Sequence, residues 1–402
     1  MSNKTKLATP VTIVLAVVAI VGIATWAFQT ANGLGAATGM NNSVSWGVYI
    51  IMFAFLEGLA VGGLTVASAA VVFGVESFKP IVKPAVLLST VCICGAGAFI
   101  MLDLGSIQNV MGMVIHPNFE SPLVWDMFMI SIYLIMNIIA LVVFVGDKPA
   151  KTKKVVACII LPLTVLVPSV TAWIFGLQIG REGWYSSIMA PLFVASGLDS
   201  GLSLLLLALL GMRAKGLHNV PDDLFGKMGK LLAAFVAVDG YMIGCELLTM
   251  GYPGDDAGTA VLQTITSGAM APFFWFEMVC GILAPFVLLA SKKRRESKAV
   301  LAVSGLLVMC GVLCKRIWLV ITSLMQQNAM AAPGVTTGSA DYPVWVTVGQ
   351  YTPQLPEIVI CVAVCAAVAL LFILLWKGVV SGDRAKGAHV ENVARTAEAA
   401  AR

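Results

Sequence analysis

Charge is what this chain lacks most. Only 11% of its 402 residues are Asp, Glu, Lys or Arg, against about 25% in ordinary soluble domains. With 59% of residues hydrophobic, a soluble globular fold is excluded, and the chain reads as a polytopic membrane protein. Histidine is scarcer still. The three present, His116, His218 and His389, fall outside the apolar runs. A haem held between helices needs axial ligands, typically histidine, within the spans, so no haem is expected on this chain. The nine cysteines contain no C-x-x-C pair; we expect packing residues, with no iron–sulfur cluster, no metal site and no disulfide. A Walker-type Gly-rich loop is also missing, which argues against ATP-driven work. The basic residues form no single patch, so no nucleic-acid partner is expected.

What is present is a series of apolar runs, each near the ~20 residues that cross a bilayer core. They fall at about Val11–Trp26, Val44–Phe73, Val82–Leu102, Leu123–Val145, Val155–Phe175, Ile188–Gly211, Leu231–Met250, Ala271–Ala290, Ala299–Leu324 and Pro356–Trp376. No small-residue cleavage site follows the first, which reads as a retained span. Loop charges test the count, because Lys and Arg concentrate in cytoplasmic loops. Of the 25 basic residues, 22 lie in alternate segments, and the opposite side has Arg181 alone in its loops. Lys315 and Arg316 lie within the ninth run. A miscounted helix would scramble this alternation. The expectation is therefore an all-α protein of ten transmembrane helices with both termini cytoplasmic and the His116 loop facing outward.

Two long segments also face outward. Gln326–Gln354 reads as turn-rich with a short hairpin near Tyr342, and Gly251–Gly268 as an acidic connector. The tail from Ser381 is polar and Ala-rich. Helix entries hint at an internal repeat: Pro122-Leu-Val-Trp125-Asp126 resembles Pro272-Phe-Phe-Trp275-Phe-Glu277, and Gly58-Leu-Ala-Val-Gly62-Gly63 resembles Ser196-Gly-Leu-Asp-Ser-Gly201. Repeats of four helices run in the same direction, and small residues at these positions allow close helix contact. The expected layout is a first helix and outer loop (1–43), two four-helix bundles (44–175 and 176–324), an outer loop with the last helix (325–380) and a cytoplasmic tail (381–402).

Chemistry is expected where polar groups enter the hydrocarbon, because each costs a few kcal/mol in lipid. His116 lies in an outward loop, and Asp126 lies four residues into the helix that follows. An imidazole and a carboxylate beside one interface, with Trp125, Phe119 and Tyr133 nearby, suit a lipid-soluble redox carrier that exchanges protons. The competing expectation is a loop histidine and a helix-capping aspartate. Deeper in the runs, Glu57, Asp199, Asp239, Glu246 and Glu277 form a candidate proton path, with Lys315 and Arg316 as structural counter-ions to the outer carboxylates.

The runs Leu102-Asp103-Leu104-Gly105 and His116-Pro-Asn-Phe-Glu-Ser-Pro-Leu-Val-Trp125-Asp126 resemble the signature of the NrfD/PsrC-type family, the membrane anchors of polysulfide reductase and related complexes. Ser45-Trp-Gly-Val-Tyr49 and Gly183-Trp-Tyr-Ser-Ser-Ile-Met-Ala-Pro-Leu-Phe193 are similar to it as well. The ten-span layout resembles the family's longer branch, and Ser106-Ile-Gln departs from the Arg-Pro expected after Gly105. The resemblance implies a quinone-binding subunit of a respiratory oxidoreductase in a bacterial or archaeal cytoplasmic membrane. It implies exchange of electrons between menaquinone or ubiquinone and a ferredoxin-like iron–sulfur partner on the outer face, itself joined to a molybdopterin or multihaem catalytic subunit. Quinone is then the bound substrate. His116 and Asp126 are expected to act on its protons, and Trp125, Tyr133 and Trp184 to line its slot. The alternatives are a cation-coupled transporter using Glu57, Asp199 and Asp239, and a purely structural anchor.

Overall fold

A computed structural model describes residues 9–41, 44–106, 110–146, 148–326 and 351–380. Among them no strand occurs, and ten helices are long and apolar enough to cross a bilayer. We label these α1 (Pro10–Asn32), α2 (Val48–Phe73), α3 (Glu76–Asp103), α4 (Pro122–Val145), α5 (Ala150–Gly176), α6 (Met189–Ala214), α7 (Asp222–Gly251), α8 (Ala271–Ala290), α9 (Lys298–Met325) and α10 (Leu355–Gly378). The count is the one the charge alternation predicts, but several ends differ. The first helix is not short, and α7 begins at Asp222, nine residues before the expected Leu231. The reason is the same at most ends: a helix continues past the hydrocarbon into polar sequence that a hydropathy reading cannot include. Asp222 and Asp223 occupy the first turn of α7, where the helix dipole favours acids.

The second outward segment is also more ordered than expected. It contains a helix, Asp256–Thr266, whose N-cap Asp255 accepts a hydrogen bond from the Gly258 amide at 3.0 Å. The hairpin expected near Tyr342, the start of the chain, residues 107–109 after Ser106 and the tail from Ser381 lie outside the described residues.

Packing follows from where small residues fall. Helix α2 is buried over nearly its whole length and touches α3, α5, α6, α9 and α10. Its contact with α6 is backbone on backbone: a Cβ placed on Gly62 would lie 2.1 Å from the Gly197 carbonyl oxygen, and one on Gly201 would lie 2.6 Å from the Gly62 nitrogen. Glycine is required at both positions. Around this contact α2, α3, α4 and α5 touch in a ring, as do α6, α7, α8 and α9. Helix α10 lies against α1, α2 and α3, and the α1 contact closes at Gly22 against Ala363. A buried carboxylate pins this outer pair to the loop before α2. Glu357 accepts from the Gly39 amide (2.7 Å), the Gln354 amide (2.8 Å) and the Tyr351 hydroxyl (2.6 Å), which satisfies the charge without a cation.

Candidate functional site

The loop before α4 is a clamp that sets the register of one carboxylate. Asn118 closes a tight turn by accepting from the Glu120 amide through Oδ1 (3.1 Å) and from the Ser121 amide through its carbonyl (3.0 Å). Pro122 then opens the helix at a position that suits proline. Trp125 folds back to donate its indole N–H to the Phe119 carbonyl at 2.6 Å, and Phe119 stacks on Phe128. One residue further, Asp126 is turned the other way, into the protein. It shares a buried face with Ile130, Tyr133 and Asn137, the spacing of one helical stripe.

Asp126 is only 3% exposed, and it is not a helix cap: the N-cap is Ser121. Its Oδ1 accepts a short hydrogen bond from the Thr171 hydroxyl of α5, and the same hydroxyl lies 2.8 Å from Glu57 Oε1 of α2. Asp126 also lines a cavity of about 530 Å³ between α2, α3, α4 and α5. Most of its wall is apolar: Trp46, Phe53, Ile130, Met127 and Phe175 line it. Cys94, Leu123 and Ser131, exposed on the outer surfaces of α3 and α4, belong to the same wall, so the cavity opens sideways toward lipid. Its volume lies within the range usual for small-molecule sites. Asp103, at the C-terminal end of α3, is a second carboxyl in the wall, and its Oδ1 has no hydrogen-bond partner among the described residues.

The other expected site residues are placed differently. His116 is exposed at the end of a short helix, Val110–Ile115, whose Val110 and Met113 line the cavity; His116 itself does not. Trp125 is the loop clamp. Tyr133 is fully buried, its hydroxyl 2.9 Å from Ser89 and 3.3 Å from the Ala60 carbonyl. Trp184 donates to the Leu319 carbonyl at 2.8 Å and stacks at 5.6 Å on Trp46, behind the cavity wall. Trp125, Tyr133 and Trp184 do not line this cavity; its aromatic wall is Trp46, Phe53 and Phe175, and the clamp turns Trp125 away from it.

A second polar cluster occupies the ring α6–α9. Lys315 pairs with Asp239 at 2.6 Å and lies 3.9 Å from Glu277, which also accepts from the Trp318 indole at 2.6 Å. Glu277 belongs to a π-helical stretch, Phe276–Leu283, that widens α8; such stretches recur at functional sites. Glu246 accepts from the Ser186 hydroxyl at 2.7 Å, and Asp199 Oδ1 is buried without a partner. Lys315 thus meets Glu277, one of the carboxylates it was expected to neutralise, and makes its shorter contact with Asp239. Arg316 donates to Ser196 at 2.9 Å and lies 3.7 Å above the Phe193 ring. It interacts electrostatically with Glu57 and with Asp199, Asp239 and Glu277, so it is coupled to both polar groups.

Of the site residues absent from the sequence reading, Thr171, Asp103 and Trp46, one carries no local signal. Thr171 is one of many threonines in apolar sequence, and nothing local marks it. Asp103 and Trp46 are different, because both lie in the stretches that resemble the family signature.

A bundle of ten membrane-length helices with a lipid-facing cavity and buried carboxyls defines a multi-pass membrane protein built around a polar interior. The family model described as polysulphide reductase, NrfD, matches residues 36–328, and the chain belongs to that family. It is 33% identical over 386 residues to a putative dimethyl sulfoxide reductase membrane subunit of Halobacterium salinarum, covering 89% of this chain and 88% of that one. It is 27% identical to an Hdr-like menaquinol oxidoreductase integral membrane subunit of Archaeoglobus fulgidus, with 90% of each chain covered. A selenate reductase subunit of Mesobacillus selenatarsenatis is 23% identical, with 89% of this chain and 91% of that one covered.

Proposed function

We propose that this chain is the quinone-binding membrane subunit of a respiratory oxidoreductase complex in a bacterial or archaeal cytoplasmic membrane. In this reading two four-helix units, α2–α5 and α6–α9, lie between cytoplasmic termini. Electrons pass between the quinone pool and an iron–sulfur partner on the outer face, which hands them to or from a molybdopterin or multihaem subunit. One observation carries the reading: an apolar cavity that opens to lipid holds a buried carboxyl, Asp126, in its wall. A lipid-soluble carrier reaches such a site from the bilayer, and its hydroxyl protons need an acceptor there. The names of the relatives above, membrane subunits of reductase and menaquinol oxidoreductase complexes, support the same class.

Oxidation of a quinol releases two electrons and two protons. Asp126 takes one proton, and Asp103, in the same wall, is placed for the other. His116 connects the site to the outer aqueous side from the loop beyond Met113. Glu57, Asp199, Asp239, Glu246 and Glu277 form the candidate path inward, with Arg316 coupled to both of its parts.

Filling the cavity tests the reading. Gly97 lines it, and a Cβ there meets open space, so Gly97→Leu projects a side chain into the slot without disturbing a helix contact. In the purified complex this variant is expected to lose quinol-linked electron transfer while the partner subunits still reduce or oxidise a soluble dye. Normal quinol turnover with the cavity filled refutes the assignment.

A further inference from the structure

The hydrogen bonds at Thr171 fix a proton count. A threonine hydroxyl has one proton and two lone pairs. Here it faces two carboxyl oxygens at hydrogen-bonding range, Asp126 Oδ1 and Glu57 Oε1. It can donate to one of them only. Toward the other its oxygen must accept, and that carboxyl has to bring the proton. With both carboxyls ionised, an oxygen lone pair would face an anionic oxygen with no hydrogen between them. Glu57 and Thr171 are fully buried and Asp126 nearly so, which removes this contact from bulk solvent. The buried Arg316 interacts electrostatically with Glu57 and so supports one remaining negative charge on the pair.

We infer that Asp126 and Glu57 share one proton across Thr171, and that Thr171 relays protons between them. The step balances. A hydroxyl in the cavity gives its proton to the free oxygen of Asp126. With the shared proton on Asp126 Oδ1, that proton moves to the Thr171 oxygen, and the Thr171 proton moves to Glu57. One proton enters the pair, every oxygen keeps its valence, and no second buried anion forms on the way. Thr171 is thus a positioning residue: it acts through the two carboxyls and does not touch the cavity. The hydrogen bonds require at least one proton on the pair, the single remaining charge rests on Arg316, and the use of the proton in quinol oxidation rests on the function proposed above.

Infrared spectroscopy of the purified complex at neutral pH counts the proton directly, because a carboxylic acid and a carboxylate absorb in separate regions. The wild type minus Asp126→Asn/Glu57→Gln difference is expected to show the loss of one acid and one carboxylate. Loss of two acids, or of none, overturns the shared proton. Both substitutions keep the size of the side chain, and size-exclusion of the complex checks that it still assembles. For the relay, Thr171→Val removes the hydroxyl and Thr171→Ser keeps it. Quinol-linked transfer is expected to be about tenfold or more faster in the serine variant than in the valine variant, and equal rates overturn the relay. One acid lost with normal quinol turnover in Asp126→Asn would leave the shared proton standing and remove the functional reading. Slowed turnover with no acid lost, or with two, would do the reverse.

Discussion

Asp126→Asn is the perturbation that separates the chemistry at the cavity from the architecture around it. The substitution changes size very little, and the clamp that sets the register of α4 does not involve the side chain: it is made by Asn118, Pro122 and Trp125. The asparagine amide can donate to the Thr171 hydroxyl or accept from it, so the helices α4 and α5 retain a polar link. What disappears is the ability to take up a proton in the cavity wall. Loss of a positioned acid–base group slows a reaction by something like 10²–10⁴-fold, which is about 2.7–5.4 kcal/mol in the barrier. Asp103 lines the same cavity with an unpartnered oxygen and can take over part of the work, so the lower end of that range is expected. The assay is steady-state quinol oxidation by the purified complex, with dye-linked turnover of the partner subunits as the reference. A rate within about twofold of wild type, a change far below that range, refutes the assignment of Asp126, and the proton role then moves to Glu57, Glu246 or Glu277.

Other outcomes test separate parts of the structure. Asp103→Asn is expected to slow quinol turnover on its own and to slow it further in combination with Asp126→Asn; no effect in either background removes Asp103 from the site. Glu357→Ala strips three hydrogen bonds from the outer end of α10 and should cost roughly 3 kcal/mol, seen as a lower melting temperature in detergent, whereas Glu357→Gln should recover part of it. Gly62→Ala forces a methyl group against the Gly197 carbonyl and is expected to reduce the amount of protein in the membrane, while Gly211→Ala, with open space at its Cβ, is the tolerated control. Lys315→Met leaves Asp239 and Glu277 buried without their cation and should destabilise by roughly 3–5 kcal/mol, an effect that Asp239→Asn in the same chain reduces. Reporters fused at Gly35 and at Ser291 should lie on opposite sides of the membrane, outside and inside respectively; the same side for both refutes the charge-based topology.

The parts of this protein that could be read from its sequence are those governed by one-dimensional rules. Hydrophobic run length gave ten helices, and charge alternation agreed on the number because a lysine beside a span is sorted by membrane side whatever the helix packs against. The Gly58–Gly63 and Ser196–Gly201 runs pointed to a close helix contact, since only glycine allows backbones to meet as Gly62 and Gly197 do. Asp126 stood out by cost, a carboxyl inside an apolar run. The wall of the cavity was illegible for a physical reason. Which way an aromatic points depends on the partner it finds, and here the Trp125 indole is spent on the Phe119 carbonyl, the Tyr133 hydroxyl on Ser89 and the Trp184 indole on the Leu319 carbonyl, so the aromatic wall is Trp46, Phe53 and Phe175. Thr171 is the sharper case. A threonine in a membrane helix usually bonds back to its own helix, as Thr65 does to the Val61 carbonyl at 2.7 Å, and sequence cannot tell that use from a bridge between two carboxyls 45 and 114 residues away. The residue that fixes the proton count is therefore the one with the weakest signal in the sequence, because its role belongs to the meeting of α2, α4 and α5 and to none of them singly.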